Sequence, residues 1–266
     1  MSERKDEKTQ KNNIPLIKEF GKMERIDKRR NTDLRPVSFQ CGFQSHPAGS
    51  VLVTFGGTRV VCAVSVEDAV PRWMKEQGKP GGWITAEYQM LPSATETRTE
   101  REAVRGKLSG RSSEIQRLIG RSLRAAVDLE KLPGMTFHID CDVIDADGGT
   151  RCASITGASV ALELAAKKLM AEGKLTEWPL LNRVAAVSVG LLQGEGLLDL
   201  CYVEDSAADV DMNVIMTDAG RFVELQGSGE EATFGDDDLT TLLGLAKKGL
   251  KEIFALQEAA IKSYKI

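Results

Sequence analysis

The sequence has few of the residues on which several kinds of active site depend. Only two of its 266 residues are histidines, His46 and His138, and aromatic residues make up 5% of the chain. A histidine-rich metal cluster is therefore excluded, and a Ser-His-Asp triad would need one of these two histidines. His46 lies in a turn pattern and His138 in an alternating apolar strand, which favours structural roles for both. Catalysis is expected to depend on carboxylates, arginines and bound ions.

Long apolar runs are also missing. No run approaches the ~20 residues that a membrane-spanning helix needs, and the charged N-terminus lacks the apolar core of a secretory signal. Cysteine is scarce, odd in number, widely scattered and never in a C-x-x-C spacing, which predicts reduced thiols. The five cysteines are Cys41, Cys62, Cys141, Cys152 and Cys201. These features predict a cytoplasmic protein with no membrane partner.

The composition is that of an ordinary globular chain, with 42% hydrophobic and 28% charged residues. Residues 1–24 are rich in Lys, Glu, Gln and Asn and have no sustained apolar periodicity, so they are predicted to be a flexible N-terminal tail. Residues 25–266 are predicted to form a single domain.

Strand and helix patterns are interleaved in that domain. Residues 71–110 have few apolar positions and predict a long loop. Helices are predicted from Ser112, over about 153–171 and over about 238–264, and strands over 50–55, 60–67, 136–143, 184–192, 197–203, 212–217 and 221–226. Several consecutive strands are joined by turns of hairpin length. The predicted fold class is therefore α+β, with mixed β-sheets packed with helices.

Charge is distributed unevenly although the net charge is only −4. Between Arg98 and Arg124 eight basic residues stand against three acidic ones, and between Glu195 and Asp238 thirteen acidic residues stand against Arg221 alone. The first region suits a polyanion and the second suits divalent cations. Charge alone slightly favours a simpler interpretation, in which two solvated surfaces pair with each other in an oligomer.

The segment Gly148-Gly149-Thr150-Arg151 lies between a predicted strand and a predicted helix. Two glycines allow positive φ and a close approach of the backbone to a ligand. Unpaired N–H groups at a helix start favour an anion, and a hydroxyl with a guanidinium suits a tetrahedral oxyanion. The alternative is a simple glycine turn with Thr150 as the helix N-cap.

A cluster of four carboxylates falls within eight residues between two apolar strands: Glu204, Asp205, Asp209 and Asp211. Such a cluster is electrostatically unfavourable unless it is solvated or holds a cation, and oxygen ligands suit Mg²⁺ or Mn²⁺. Alternation predicts that Asp209 and Asp211 point to the same side. An acidic surface turn is the plainer alternative.

Arginines mark the helix that is predicted to begin near Ser112. Arg111 at its start opposes the helix dipole unless an anion lies between them. Arg117, Arg121 and Arg124 share one face and repel each other unless an anion or an acidic partner lies opposite. Together, these features fit phosphate, a metal ion and RNA better than any of them does alone.

Ten further segments in order suggest a known family: RRNTDLRP (29–36), GSVLV (49–53), GWITAEY (82–88), EIQRLI (114–119), LRAAVD (123–128), DCDV (140–143), ADGGTR (146–151), AVSVG (186–190), YVEDSAA (202–208) and DMN (211–213). From about Arg25 to Ala260 the chain resembles the ribonuclease PH family, phosphate-dependent 3′→5′ exoribonucleases that trim tRNA precursors. The resemblance implies the ribonuclease PH (ribosomal protein S5 domain 2-like) fold for residues 25–266. The sequence departs from the family at Lys28, where glycine is expected, and its tail is longer than usual.

The resemblance also implies roles for individual residues. The phosphate-binding positions would be Arg111, Gly149, Thr150 and Arg151, and the catalytic, metal-associated positions would be Asp205 and Asp211. The arginine-rich loop that contacts RNA would contain Arg98 and Arg101, and the arginine-faced helix adds Arg117. The implied metal is Mg²⁺, with Mn²⁺ as the alternative, and inorganic phosphate is the co-substrate. The implied partners are tRNA precursors, other RNA 3′ ends and five further copies in a homo-hexamer, a trimer of dimers.

The implied reaction is attack by phosphate on the terminal 3′ phosphodiester, with reversible release of a nucleoside 5′-diphosphate. Asp211 is the candidate for protonating the leaving 3′-oxygen. Three alternatives stay open. A catalytically silent RNA-binding ring subunit would lack the aspartate pair or the glycine turn. A hydrolytic metal-dependent nuclease would release monophosphates without phosphate. An enzyme of small-molecule substrates would not need the arginine-faced helix.

Overall fold

The computed structural model describes residues 24–230 and 232–265, so the predicted tail, apart from Glu24, lies outside the described residues. The strands are β1 (Val37–Cys41), β2 (Gly49–Phe55), β3 (Thr58–Glu67), β4 (Trp83–Met90), β5 (Thr136–Asp145), β6 (Val184–Leu192), β7 (Glu195–Leu198), β8 (Val210–Thr217) and β9 (Phe222–Gly229). The helices are α1 (Arg72–Glu76), α2 (Glu102–Arg105), α3 (Gly110–Arg124), α4 (Thr150–Ala171), α5 (Tyr202–Asp205) and α6 (Asp236–Ser263), with a 3₁₀ turn at Leu129–Lys131.

The strands form two sheets. A five-stranded sheet has the order β1-β2-β3-β5-β4, in which only β4 and β5 run parallel. An antiparallel four-stranded sheet has the order β7-β6-β8-β9. Mixed sheets with packed helices confirm the predicted α+β class.

Helix α4 is the centre of the molecule because it packs against strands of both sheets, β2, β3 and β5 on one side and β6 on the other. It is therefore buried almost throughout and has no polar stripe. Small residues permit the close packing: a Cβ on Gly157 would come within 2.6 Å of Val53 and 2.7 Å of Cys62. Helix α3 packs on β4, and α6 packs on β6 and β7. The first turn of α4 is consequently held between the two sheets.

Two predicted elements are wrong. The predicted loop 71–110 contains β4, in which Ile84, Ala86 and Tyr88 alternate into the core while the strand pairs with β5. The predicted strand 197–203 ends at Leu198. Asp199 then adopts a positive φ of 57°, which breaks the extended chain before α5. Strand β1 was not predicted.

Candidate active site

The glycine turn between β5 and α4 has the conformation that the motif predicts. Gly148 and Gly149 have φ of 71° and 66°, and Gly149 is the N-cap of α4. Thr150 is not the N-cap. Its buried hydroxyl lies 2.8 Å from the Tyr88 hydroxyl, which ties the start of α4 to β4. The turn thus presents the first N–H groups of a long helix, the usual setting of a bound anion.

Two arginines meet at this turn from different helices. Arg151 donates to Gln226 Oε1 at 3.0 Å and lies 3.5 Å from Glu114 on α3. Arg111 lies in the first turn of α3, where Ser109 Oγ caps the helix by accepting from the backbone N–H of Ser112. Burial raises the pKa of Tyr88, and this rise is opposed by the hydrogen bond with Thr150, by the charges of Arg111 and Arg151 and by a hydrogen bond with Arg111. The charges of both guanidinium groups therefore act on the Tyr88 hydroxyl.

Asp205 and Asp211 come to the same place from the second sheet. Asp205 is the last residue of α5, and Asp211 lies on β8 opposite Gly190 of β6. Burial and the charge of Asp211 raise the pKa of Asp205, while the charges of Arg111 and Arg151 oppose the rise. Two carboxylates and two guanidinium groups from separate elements thus share one electrostatic neighbourhood.

The other two carboxylates of the predicted cluster have structural partners. Asp209 precedes β8, and its carboxylate accepts from the backbone N–H of Gln193 at 3.0 Å in the β6–β7 turn. Glu204 is buried and accepts from Arg25 Nε at 2.7 Å and from the backbone N–H of Cys201 at 3.0 Å. The acidic cluster is therefore divided. Of its four carboxylates, Asp205 and Asp211 are the two that remain near Arg111 and Arg151.

The carboxylate pair suits a cation only with additional ligands. Within residues 24–230 and 232–265 no group of three or more His, Cys, Asp or Glu side chains is arranged to hold a metal ion. Mg²⁺ is commonly bound by one or two carboxylates with water and substrate phosphate oxygens. The donors at Asp205 and Asp211 fit that mode of binding.

The predicted RNA-contacting arginines are all exposed. Arg98 and Arg101 are exposed in the segment between β4 and α2, and Arg117 is exposed on α3. The other two arginines of the α3 face have partners in the chain: Arg121 binds Glu224 of β9 at 2.8 Å, and Arg124 donates to the Ile84 carbonyl at 2.8 Å. The basic and acidic regions of the sequence thus meet within one chain at Arg121.

Sequence reasoning did not identify three arginines that bind carboxylates next to the site. Arg25 and Arg29 both bind Glu204, next to Asp205, and Arg35 binds Asp199. Arg29 and Arg35 lie in the segment 29–36, but local patterns do not show which charge a distant arginine neutralises. His138 pairs with Glu67 at 3.2 Å on a sheet surface, in keeping with its predicted structural role.

The N-terminus of α4, with arginines from two helices and a pair of carboxylates nearby in a two-sheet α+β fold, is typical of the class of enzymes that handle phosphate groups. The sequence matches the two domains of a known enzyme family of this class. The "3' exoribonuclease family, domain 1" matches residues 33–168, and its domain 2 matches residues 182–249. The chain belongs to the 3′ exoribonuclease family.

Several curated relatives of the chain are ribonucleases PH. The chain is 58% identical to ribonuclease PH of Bacillus pumilus over 236 residues, which are 88% of this chain and 97% of the relative. It is also 58% identical to ribonuclease PH of Bacillus subtilis over 238 residues, covering 89% and 96% of the two chains. The predicted family resemblance is confirmed.

Solved structures agree on the fold. The chain matches a structure of the Archaeoglobus fulgidus exosome with RNA bound to the active site, with a TM-score of 0.72, 25% identity and coverage of 87% of this chain and 92% of that one. Rice Rrp46 matches with a TM-score of 0.72 at 18% identity, over 90% of this chain and all of that chain. In the parts of the chain that are described, no helix has the length and apolarity needed to cross a membrane.

Proposed function

We propose that this chain trims the 3′ ends of tRNA precursors, and also of rRNA, at the site formed by the glycine turn and the aspartate pair. Its family makes it a phosphorolytic 3′→5′ exoribonuclease that acts on tRNA and consumes inorganic phosphate. The observation that carries the assignment of the site is the common electrostatic neighbourhood of Asp205, Asp211, Arg111 and Arg151.

The starts of α3 and α4 would bind phosphate. The N–H groups of Gly149 and the following residues, the Thr150 hydroxyl and the guanidinium groups of Arg111 and Arg151 would surround the anion. One phosphate oxygen attacks the terminal phosphodiester, the bond from phosphorus to the leaving 3′-oxygen breaks, and a nucleoside 5′-diphosphate is released. Two anions must approach each other, so donors fixed before the reaction reduce the barrier. A phosphodiester becomes a phosphoanhydride, and the reverse reaction adds nucleotides.

The leaving 3′-oxygen takes up a proton, which we assign to the aspartate pair. Asp211 is the first candidate for the donor, and Asp205 is the second, because burial and the charge of Asp211 raise the pKa of Asp205. Asp205 and Asp211 would also hold Mg²⁺, with Mn²⁺ as the alternative. When bound, that ion would neutralise charge on the phosphate oxygens.

RNA beyond its last nucleotide would contact the exposed arginines Arg98, Arg101 and Arg117. We place the working form in a homo-hexamer, a trimer of dimers, which is supported by the likeness to a structure of an exosome. We place the protein in the cytoplasm, which is supported by the five free thiols. The predicted extent of one domain over residues 25–266 remains a prediction.

The catalytically silent alternative is not favoured, because the aspartate pair and the glycine turn are both present and adjacent. The hydrolytic and phosphorolytic alternatives differ in their products. We expect tRNA with extra 3′ nucleotides to be shortened only when phosphate is added, with nucleoside diphosphates as products. Release of monophosphates without phosphate would contradict the proposal.

Two variants test the site in the same assay. Arg111→Ala should raise the KM for phosphate and reduce kcat/KM by about 10²–10³-fold, as for the loss of one preorganised donor. Asp211→Ala should lose turnover and keep most tRNA binding in a gel-shift measurement. Normal phosphate dependence of Arg111→Ala, or normal turnover of Asp211→Ala, would remove that residue from the site.

A further inference from the structure

Arg35 is a buried arginine that contacts both halves of the proposed site without belonging to either. Its residue is 3% exposed, and it lies just before β1. Its Nε and Nη2 donate to the Asp199 carboxylate at 3.0 and 2.8 Å, and its backbone N–H donates to the same carboxylate at 2.8 Å. Its Nη1 donates to the backbone carbonyl of Asp147.

The Asp147 contact reaches the phosphate-binding turn. Asp147 is the residue before Gly148-Gly149, and Arg35 Nη2 would lie 3.1 Å from a Cβ on Gly149. The guanidinium therefore lies directly beneath the backbone of the turn, where a larger residue than glycine would press on it. Any shift of Arg35 changes the support under the N-terminus of α4.

The Asp199 contact reaches the carboxylate pair. Asp199 stands three residues before α5, and its positive φ of 57° directs the chain out of β7 toward Asp205. Such a conformation is strained for a residue with a side chain and persists where the surroundings fix it. Here three hydrogen bonds from Arg35 fix the side chain, and the backbone N–H donates to Ser188 at 2.7 Å.

A planar guanidinium can hold two partners in fixed directions, whereas a lysine ammonium acts as a single point charge. Asp147 also contacts α5 directly, because its carboxylate accepts from the backbone N–H of Tyr202 at the start of α5 at 3.2 Å. The contacts of Arg35 and the hydrogen bond between Asp147 and Tyr202 thus connect the turn that carries Thr150 to α5, which ends in Asp205. No contact in this set involves a reacting group.

We propose that Arg35 is a positioning residue that sets the separation between the phosphate-binding turn and the Asp205 helix through Asp147 and Asp199. The proposal rests on the site assignment made above. A displacement of about 1 Å between reacting groups lowers rates by about 10²-fold. Loss of the contacts of Arg35 with Asp147 and Asp199 is therefore expected to affect both phosphate binding and turnover.

The test uses the full-length variants Arg35→Lys and Asp199→Asn, with Arg183→Lys as the matched control. Arg183 makes a similar ion pair with Glu163 of α4, with Nε to Oε2 at 2.7 Å, but its other partner within reach is Asp218 at 3.9 Å and not a site residue. KM for phosphate and kcat are measured on tRNA with extra 3′ nucleotides, together with the melting temperature. KM does not depend on the fraction of enzyme that is folded.

We expect Arg35→Lys and Asp199→Asn to raise the KM for phosphate about tenfold and to lower kcat about 10²-fold, with Arg183→Lys altering only the melting temperature. A wild-type phosphate KM in either Arg35→Lys or Asp199→Asn would overturn the proposal and leave Arg35 a stabilising residue. If one of the two fails to fold, the other still decides, because Asp199→Asn preserves the side-chain shape. A wild-type enzyme that works without phosphate would instead refute the site's function.

Discussion

At the scale of single residues, the ionised form of Asp205 is unfavourable in the folded protein. Burial and the charge of Asp211 raise its pKa above the ordinary 3.8, so folding disfavours its ionised form. For a raised carboxyl pKa the penalty is absent below the unfolded value and complete above the folded value. Asp205→Asn should therefore raise the melting temperature at pH 7 while abolishing phosphorolysis, and the gain should shrink as the pH falls through the folded pKa toward 3.8.

Thermal melts from pH 7 down toward the unfolded-state value of 3.8 check this expectation. Asp209→Asn is the matched control, since its amide oxygen can still accept from Gln193 and Asp209 lies apart from the pair. It should keep activity. A melting temperature of Asp205→Asn below that of the wild type at pH 7 would show that the carboxylate is not under electrostatic strain.

Lys28 is one of the two departures from the family pattern, and its backbone conformation is one that favours glycine. It has a φ of 62° in a turn closed by its N–H to the Arg25 carbonyl at 2.8 Å, a conformation that glycine adopts without strain. The left-handed conformation costs Lys28 about 1–2 kcal/mol. Glycine at this position would avoid that cost but would lose about 0.5–1 kcal/mol more conformational entropy on folding. Lys28→Gly should therefore stabilise the fold by about 0.5–1 kcal/mol.

Denaturant unfolding measures that difference. Lys107→Gly, at an exposed position that is not among the residues with positive φ, should not stabilise the protein. Equal effects of the two substitutions would mean that the turn at Lys28 carries no strain.

At the scale of elements, the two ends of α4 separate backbone strain from function. Gly149 at the start and Gly173 after the end have φ of 66° and 69°, and a Cβ on Gly173 would meet nothing within 4 Å. Gly149→Ala and Gly173→Ala should each cost about 1–2 kcal/mol of stability. Only Gly149→Ala, which also presses on Arg35, should raise the KM for phosphate.

The measurement combines unfolding midpoints with phosphate-dependent trimming of tRNA. A higher phosphate KM in Gly173→Ala would attribute the effect to general loosening of α4. A normal KM in Gly149→Ala would separate the glycine turn from phosphate binding.

The elements also show where local patterns are sufficient. The apolar stripe of α3 and the long apolar helix α4 were predictable because their hydrogen bonds are internal. Strand β4 was not predicted, although residues 84–90 alternate between apolar and polar, because the surrounding segment 71–110 has few apolar positions. The strand is stabilised by pairing with β5, which lies far along the chain. The end of β7 depends on Asp199 and its contact with Arg35, and the local apolar pattern does not show it.

At the scale of the whole molecule, the exposed arginines should govern RNA affinity separately from chemistry. Each phosphate contact releases counterions, so affinity falls with salt by a slope of about 0.7 per contact on single strands. The double variant Arg98→Gln/Arg101→Gln should weaken tRNA binding and make the salt slope shallower by about 1.4. The KM for phosphate should stay unchanged.

Binding isotherms at several salt concentrations test this, with Arg72→Gln as the control, because Arg72 is exposed and pairs with Glu76 on α1. An unchanged slope in the double variant would place the RNA path elsewhere. A changed phosphate KM would instead bring the loop into the active site.

The sequence by itself determined the chemistry of the site and its main scaffold. Local patterns show which groups are present: glycines before an apolar helix, an arginine at the start of another helix and aspartates beside a strand. The tertiary structure decided which groups are available. In the folded chain Glu204 binds Arg25, Asp209 binds Gln193 and Arg121 binds Glu224. Asp205, Asp211, Arg111 and Arg151 share one electrostatic neighbourhood. Such neutralisation depends on contacts between residues far apart in the chain, which composition and periodicity do not encode.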